Sequence, residues 1–303
     1  MARAAWLWLL VPLLGLVELA AHAWFARRAP TVAEWEALRP DLAALRTGDE
    51  LVVVAPDWAE PLARHAFGDA LMPLDQVARP DAAPFPEAIE VSALGARAEE
   101  TDGWRVVEEV TRGRFRLRRL QNPDPARVRF DFTAGFGPER VRILDATGRD
   151  ACSWNPAGRP LTGGLHGPVT VPAARFDCPG GPYRFVGVTV IEDERFRPHR
   201  CVSAEPFGRL PRRIRYRDVP LGDAIWGYLG ASWFLERDAV DARVFLTVTV
   251  AGEPLLTTIA TDARWGRFGV PTGSHAGTTA DVEFTIASES PETRPICFHA
   301  DTR

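Results

Sequence analysis

The chain has 303 residues, 46% of them hydrophobic and 25% charged, with a formal net charge of −4. Those proportions suit a globular protein with a sizeable core and exclude wholesale disorder, and an acidic balance argues against a nucleic-acid partner, which needs a concentrated basic face. All 36 basic residues are Arg; without Lys, Schiff-base and P-loop chemistry are excluded.

The first element is an apolar run from Ala4 to Ala26, broken only by Glu18 and His22 and bracketed by Arg3 and Arg27–Arg28. At about 1.5 Å per residue, such a helix crosses a hydrocarbon core of roughly 30 Å. Two readings compete: an uncleaved anchor, and a leader cut after Ala23 at the Ala21-His22-Ala23 site. The length of the run, its continuation through Trp24-Phe25, and the flanking Trp6, Trp8 and Trp24 favour the anchor. Glu18 and His22 share a helix face at a spacing of four, either as a tolerated polar pair or as a contact with another membrane protein.

Thr31 and Glu34 form a capping-box pattern, and Trp35, Leu38, Leu42 and Leu45 recur at helical spacing around Pro40. This predicts a short helix, a kink and a second turn. Leu51–Ala55 reads as a strand buried on both faces, followed from Pro56 by a helix with Trp58, Leu62, His65 and Ala66 near one face, closed by Gly68. Strands are predicted over 88–94, 104–110 and 114–120, the last two joined by a hairpin at 111–113. Residues 29–121 are thus a juxtamembrane helix and a small α/β module, after a segment 1–28 that anchors or leads the chain.

From residue 122 the texture is β. Strands are expected over 128–132, 141–143, 185–191, 200–204, 213–217, 244–250, 255–260, 264–270, 280–287 and 295–300, with a Gly- and Pro-rich loop over 151–182. The fold class is α+β: an N-terminal transmembrane helix, the α/β module, then an antiparallel, jelly-roll-like β-sandwich over 122–303. Cys152, Cys178, Cys201 and Cys297 form no C-x-x-C pair. Even, scattered cysteines beyond a membrane segment read as two disulfides in an oxidising space, against a reduced cytosolic chain. They allow three pairings. Cys152–Cys178 is favoured because it staples the 151–182 loop, and Cys201–Cys297 because it ties an early strand to the last.

For catalysis, Asp57, Glu60 and His65 near the first strand–helix junction could form an acid/base set, although helix-terminal surface charges explain them more simply. There is no G-x-G-x-x-G, no Walker lysine and no G-x-S-x-G. The six His show no metal spacing, so neither metal nor cofactor is expected. His299, near Asp301 on the last strand, reads as half-exposed. The most suggestive stretch is Asp218–Asp223 followed by Trp226, Tyr228 and Trp233. Aromatics held in a Gly-rich connection would make a stacking platform for sugar rings, with Asp223, Arg237 and Trp265 as further contacts. The plainer reading is a satellite core under that connection.

The DVPLG run at 218–222, VFLTVTVAG at 244–252, RWGRFGV at 264–270 and the closing DVEFTI and PICFHAD segments resemble the galactose-binding-like jelly rolls of carbohydrate-binding modules. That resemblance covers roughly the last third and implies sugar or protein binding. The anchor followed by DELVVVAPDW is similar to the juxtamembrane periplasmic start of membrane glycosyltransferases, whose multi-span catalytic core is absent here. The expected protein is a single-pass, bacterial-type inner-membrane protein with its bulk in the periplasm. It would be a non-catalytic binding or accessory factor for envelope glycans or for a glycan-assembling membrane glycosyltransferase. The alternatives are a periplasmic hydrolase or transferase using Asp57, Glu60 and His65, and a structural envelope protein without a small ligand.

Overall fold

In the computed structural model, which describes residues 2–162, 169–193, 197–206, 210–231, 243–260, 265–288 and 295–303, Ala2–Arg28 form one helix, α1. Its described side chains include Leu10, Val11, Leu13, Leu14, Leu16, Val17 and Leu19, all exposed. Consecutive positions cover every side of a helix, so α1 has no inward face of its own. Among the described residues no helix is long and apolar enough to cross a membrane. The expected helix therefore forms over 4–26, while a spanning segment is not met within those residues.

The chain divides into two units: Met1–Pro73 with Phe85–Pro123, and Leu74–Pro84 with Asp124–Arg303. In the first, α2 (Val32–Glu36) starts on the capping box, with the Thr31 N–H donating to Glu34 Oε2 at 2.7 Å. A second helix, α3 (Arg39–Leu45), follows a turn at 37–38 and carries Pro40 in its first turn. Trp35, Leu38, Leu42 and Leu45 are buried as their spacing predicts, and Trp35 packs edge-on to Phe67 and Phe115. Strand β1 (Leu51–Ala55) leads through α4 (Glu60–Phe67) to a parallel partner, β2 (Glu87–Ala93). The hairpin β3 (Arg105–Arg112) and β4 (Phe115–Gln121) completes the order β1-β2-β4-β3. One expectation is corrected. The buried side of α4 is Ala63, Ala66 and Phe67, while Trp58 and His65 face solvent. Small side chains let the helix lie close to the sheet, and Phe67 supplies the bulk.

Glu50, just before β1, accepts hydrogen bonds from the Thr47 N–H and hydroxyl, the Gly48 N–H and Arg119. Burial raises its pKa, but these donors outweigh it and hold the carboxylate at about 2. A folded pKa below the unfolded one contributes stability above the unfolded value that is lost as pH falls through the folded one. The first unit should therefore lose stability between about pH 4.5 and pH 2. Glu50→Gln should flatten that loss in urea midpoints measured across this range; an unchanged slope would show that Glu50 does not carry it.

The second unit begins with α5 (Leu74–Val77). Its strands are β5 (Phe130–Asp131), β6 (Val141–Leu144), β7 (Ser153–Asn155), β8 (Arg175–Asp177), β9 (Phe185–Glu192), β10 (Pro198–Ala204) and β11 (Arg212–Pro220). There follow β12 (Ala224–Ala231), β13 (Val244–Val250), β14 (Glu253–Ala260), β15 (Gly266–Pro271), β16 (Thr279–Ser288) and β17 (Ile296–Thr302). One sheet runs β15-β12-β17-β10-β9-β8-β7, with β5 also on β17; the other runs β14-β13-β16-β11-β6. Alternation decides what each strand buries: Val244, Leu246, Val248 and Val250 from one sheet meet Val202, Ile225 and Phe298 from the other in one core. Its centre is aromatic, with Phe132, Tyr216 and Phe284 in mutual contact, Phe298 on Phe284, and the Tyr216 hydroxyl donating to the Phe132 carbonyl at 3.0 Å. The unit is an antiparallel β-sandwich.

Both disulfides form as expected, Cys152–Cys178 and Cys201–Cys297. Two expectations are corrected. The 151–182 stretch is not all loop, since β7 and β8 pair within it across the first bridge. The aromatic stretch is not a connection: 224–231 is β12, a strand with neighbours on both sides.

Candidate functional site

Because β12 is a strand, its side chains alternate. Ile225 and Leu229 enter the core, while Trp226 and Tyr228 lie on the other face of the eight-stranded sheet, half-buried. Register sets their neighbours: Trp226 lies opposite Asp301 and Gly269, and Tyr228 opposite His299 and Arg267. Glycines make room for the rings. A Cβ on Gly269 would come within 2.5 Å of the Trp226 ring, and one on Gly230 within 2.9 Å of the Trp265 indole. The exposed guanidinium of Arg267 sits 4.3 Å from the Trp226 ring centroid. Trp265 is stacked on His199 at 4.1 Å, and His199 Nε2 lies 3.0 Å from Asp193 Oδ2.

A charged chain crosses the same face. The Tyr228 hydroxyl donates to Asp81 at 3.4 Å; Arg303 Nη2 reaches Asp81 and Asp301, and its Nε donates to Asp301 at 2.6 Å. Burial, aided by Asp81, pushes the Tyr228 phenol up to about 12. Burial likewise raises Asp301 in spite of Arg303. Burial would raise Asp131 too, but His299, Thr133 and the Ala134 N–H hold it well below the ordinary carboxylate range. His299 is buried rather than half-exposed; its Nε2 lies 3.5 Å from Asp131, and its Nδ1 has no hydrogen-bond partner.

The expected site residues are therefore partly gathered. Trp226, Tyr228 and Trp265 share one sheet face. Asp223 is exposed on the turn before β12, where its carbonyl accepts from Thr272. Trp233 and Arg237 lie outside the described residues. Neither indole is bare, so an open stacking platform is replaced by rings already packed against glycine and a cationic or imidazole neighbour. Asp57 and His65 are exposed at opposite ends of the α4 region. Glu60 and His65 are five residues apart, about 140° around the helix, so no acid/base set is assembled there. Among the described residues no cluster of metal-ligating side chains is found. Sequence reasoning missed Asp81, Arg267 and Arg303. The signal available was the alternation Arg267-x-Gly269 beside Trp226-x-Tyr228.

Hollows flank the sandwich as well. A groove of about 580 Å³ on the outer face of the five-stranded sheet is lined by Arg213, Arg215, Thr249, Asp281 and Glu283 among others. There Glu283 accepts from both Arg213 and Arg215. A second cavity, of about 460 Å³, adjoins the Cys152–Cys178 bridge.

The site thus belongs to a β-sandwich protein with an aromatic and charged sheet face. No protein-family model and no curated protein matches the chain, and the glycosyltransferase resemblance of its N-terminal part gains no support. Several solved structures are similar to it. One contains the CBM51-2 domain with GlcNAc, together with INT domains, from Clostridium perfringens ZmpB: 12% identity, 38% of this chain and 25% of that one, TM-score 0.28. Another is CBM51 from Clostridium perfringens GH95 with methyl-galactose: 11% identity, 53% of this chain and 99% of that one, TM-score 0.29. A third is the K2 cleaved adhesin domain of Lys-gingipain: 14% identity, 57% of this chain and 99% of that one, TM-score 0.32. The chain spans about a quarter of the ZmpB structure's length. Values this low transfer no ligand to this chain.

Proposed function

We propose that this chain is a membrane-tethered, extracytoplasmic binding protein of a bacterial envelope, and that its β-sandwich takes carbohydrate on the outer face of the eight-stranded sheet. The observation that carries this reading is the register placing half-buried Trp226 and exposed Arg267 beside Tyr228 and the Asp81–Arg303–Asp301 chain. A pyranose presents an apolar C–H face to an aromatic ring and hydroxyls at its edge. Arg267, being exposed, can yield the Trp226 ring to the sugar while its guanidinium takes a hydroxyl. The ligand is an envelope glycan, and a membrane enzyme that assembles such glycans is the fitting partner. The proposed tether is α1, 27 residues long, or about 40 Å at 1.5 Å per residue, whose Leu10, Val11, Leu13, Leu14, Leu16, Val17 and Leu19 side chains are exposed. Two disulfides suit the oxidising periplasmic side. A mature chain whose mass begins after Ala23 would replace the tether with a cleaved leader.

A glycan array followed by calorimetry tests the ligand. Trp226→Ala is expected to weaken binding tenfold or more, and Arg267→Ala less. Undiminished affinity in Trp226→Ala, or no binding across the array, would sink this site. Loss in Arg215→Ala instead would move the ligand to the groove of the five-stranded sheet.

A further inference from the structure

The outer face of the eight-stranded sheet is electrically uneven from one strand to the next. On β17 and beside it, Asp81 and Asp301 share the Arg303 guanidinium, and the Tyr228 hydroxyl adds a donor to Asp81. Farther along, Asp131 accepts from the Thr133 hydroxyl and the Ala134 N–H and lies 3.5 Å from His299. These carboxylates are committed, and two of them on a single guanidinium leave that side acidic. Strand β12 comes next, carrying Trp226 and Tyr228. Beyond it lies β15, at the end of the sheet, with Arg267 opposite Tyr228.

Arg267 differs from the other charges of this face. It is exposed, and among the described residues its guanidinium meets the Trp226 ring, 4.3 Å from the centroid, and no carboxylate. Its charge acts on the site itself, pulling the Tyr228 phenol down against the burial that raises it. The exposed Asp223 stands five residues before Tyr228, about 16 Å along the strand and beyond pairing distance. A cation–π contact at an exposed position is weak, whereas a guanidinium and a carboxylate match in two parallel hydrogen bonds. The ring thus holds the guanidinium in place without satisfying its charge.

We propose that this face selects an acidic sugar: a hexuronic acid residue whose ring stacks on Trp226, whose carboxylate pairs with Arg267, and whose hydroxyls meet the Asp81–Arg303–Asp301 chain. The inference rests on the glycan-binding reading of the same face and narrows it to acidic ligands. The uneven field orients the sugar, because the β17 side repels an acid group and accepts hydroxyl donors, while the β15 edge attracts the acid. Arg267 swings from above the ring to its rim as the sugar enters, exchanging a ring contact for an ion pair.

The test is calorimetry of the full-length protein with trigalacturonate and triglucuronate, each beside its neutral methyl ester. At least one acid is expected to bind about tenfold more tightly than its ester, the margin between a charge-assisted and a neutral hydrogen bond. Added salt should narrow that gap. Arg267→Gln changes an exposed position, so it should keep the thermal midpoint and bring the acid down to its ester's affinity. Trp226→Ala should weaken acid and ester alike. Equal affinity of acid and ester, both weakened by Trp226→Ala, would overturn the acid preference and leave the glycan face standing. Binding indifferent to Trp226→Ala would remove both readings. An acid preference that survives Arg267→Gln, or tighter binding of the cationic glucosamine trimer than of either acid, would overturn the proposal. Binding of neither acid would overturn it too, and the glycan array then decides the underlying reading on its own.

Discussion

Replacing Cys201 and Cys297 together by alanine is expected to destabilise the sandwich by about 4 kcal/mol, more than the same change at Cys152 and Cys178. The Cys201–Cys297 bridge spans a sequence separation of 96 and the Cys152–Cys178 bridge one of 26. Chain-entropy estimates give about 4.7 kcal/mol for a loop near 100 residues and about 3 for a short one. Packing adds to the difference. Cys201 and Cys297 are both fully buried and form a small apolar cluster with Ile191, against which Trp265 packs. Their loss leaves a void beneath the Trp265–His199 stack, which widens the gap between the two double variants. For a unit of this size, about 4 kcal/mol corresponds to a fall of roughly 8–16 °C in Tm. Calorimetry of the two double variants checks the ranking; equal losses would mean that loop length does not set the contribution here.

The second large effect concerns the first unit. Glu90 on β2 has a side chain with no exposure, and Arg118 on β4 donates to it at 2.6 Å, with a further bond from Arg118 Nε to Glu109. The Ala98 N–H at 2.9 Å and Arg97 Nε at 3.1 Å complete the set around Glu90. Arg118→Met strands a buried carboxylate, a change that costs about 3–5 kcal/mol when nothing compensates. Arg97 and the Ala98 N–H remain, so roughly 2–3 kcal/mol is expected. The double variant Glu90→Leu/Arg118→Met should recover most of that loss, because both desolvation costs vanish together. Hydrogen exchange of the β2 and β4 amides follows the opening of this sheet directly. A double variant less stable than Arg118→Met alone would show that the pair is net stabilising.

The sequence and the structure agree where the signal is local. The Thr31–Glu34 cap, the Trp35–Leu45 spacing, the buried β1 run and the alternation of β13 and β16 are settled within a few residues of chain. They differ where a local rule is overridden from far away. Gly227 and Gly230 disguise β12 as a turn, because glycine in a strand interior carries no side chain to pack. Phe268 and Trp265, some forty residues on, bring the rings that fill those positions. His299 reads as half-exposed because its own strand cannot show that Asp131 comes to lie beside it.

What the sequence by itself determined is a chain with an apolar first helix, an α/β module and a β-rich remainder, with one of three cysteine pairings favoured. Helical and strand periodicities, turn residues and loop-closing distances are properties of short stretches, and they need no knowledge of the neighbour across the sheet. Only the tertiary structure decided which residues meet. It placed Trp226 opposite Asp301 and Gly269, brought Asp81 to Arg303 across more than two hundred residues, and set Arg212 against the first disulfide. Those meetings depend on strand order and register, where a slip of one residue turns every side chain to the opposite face.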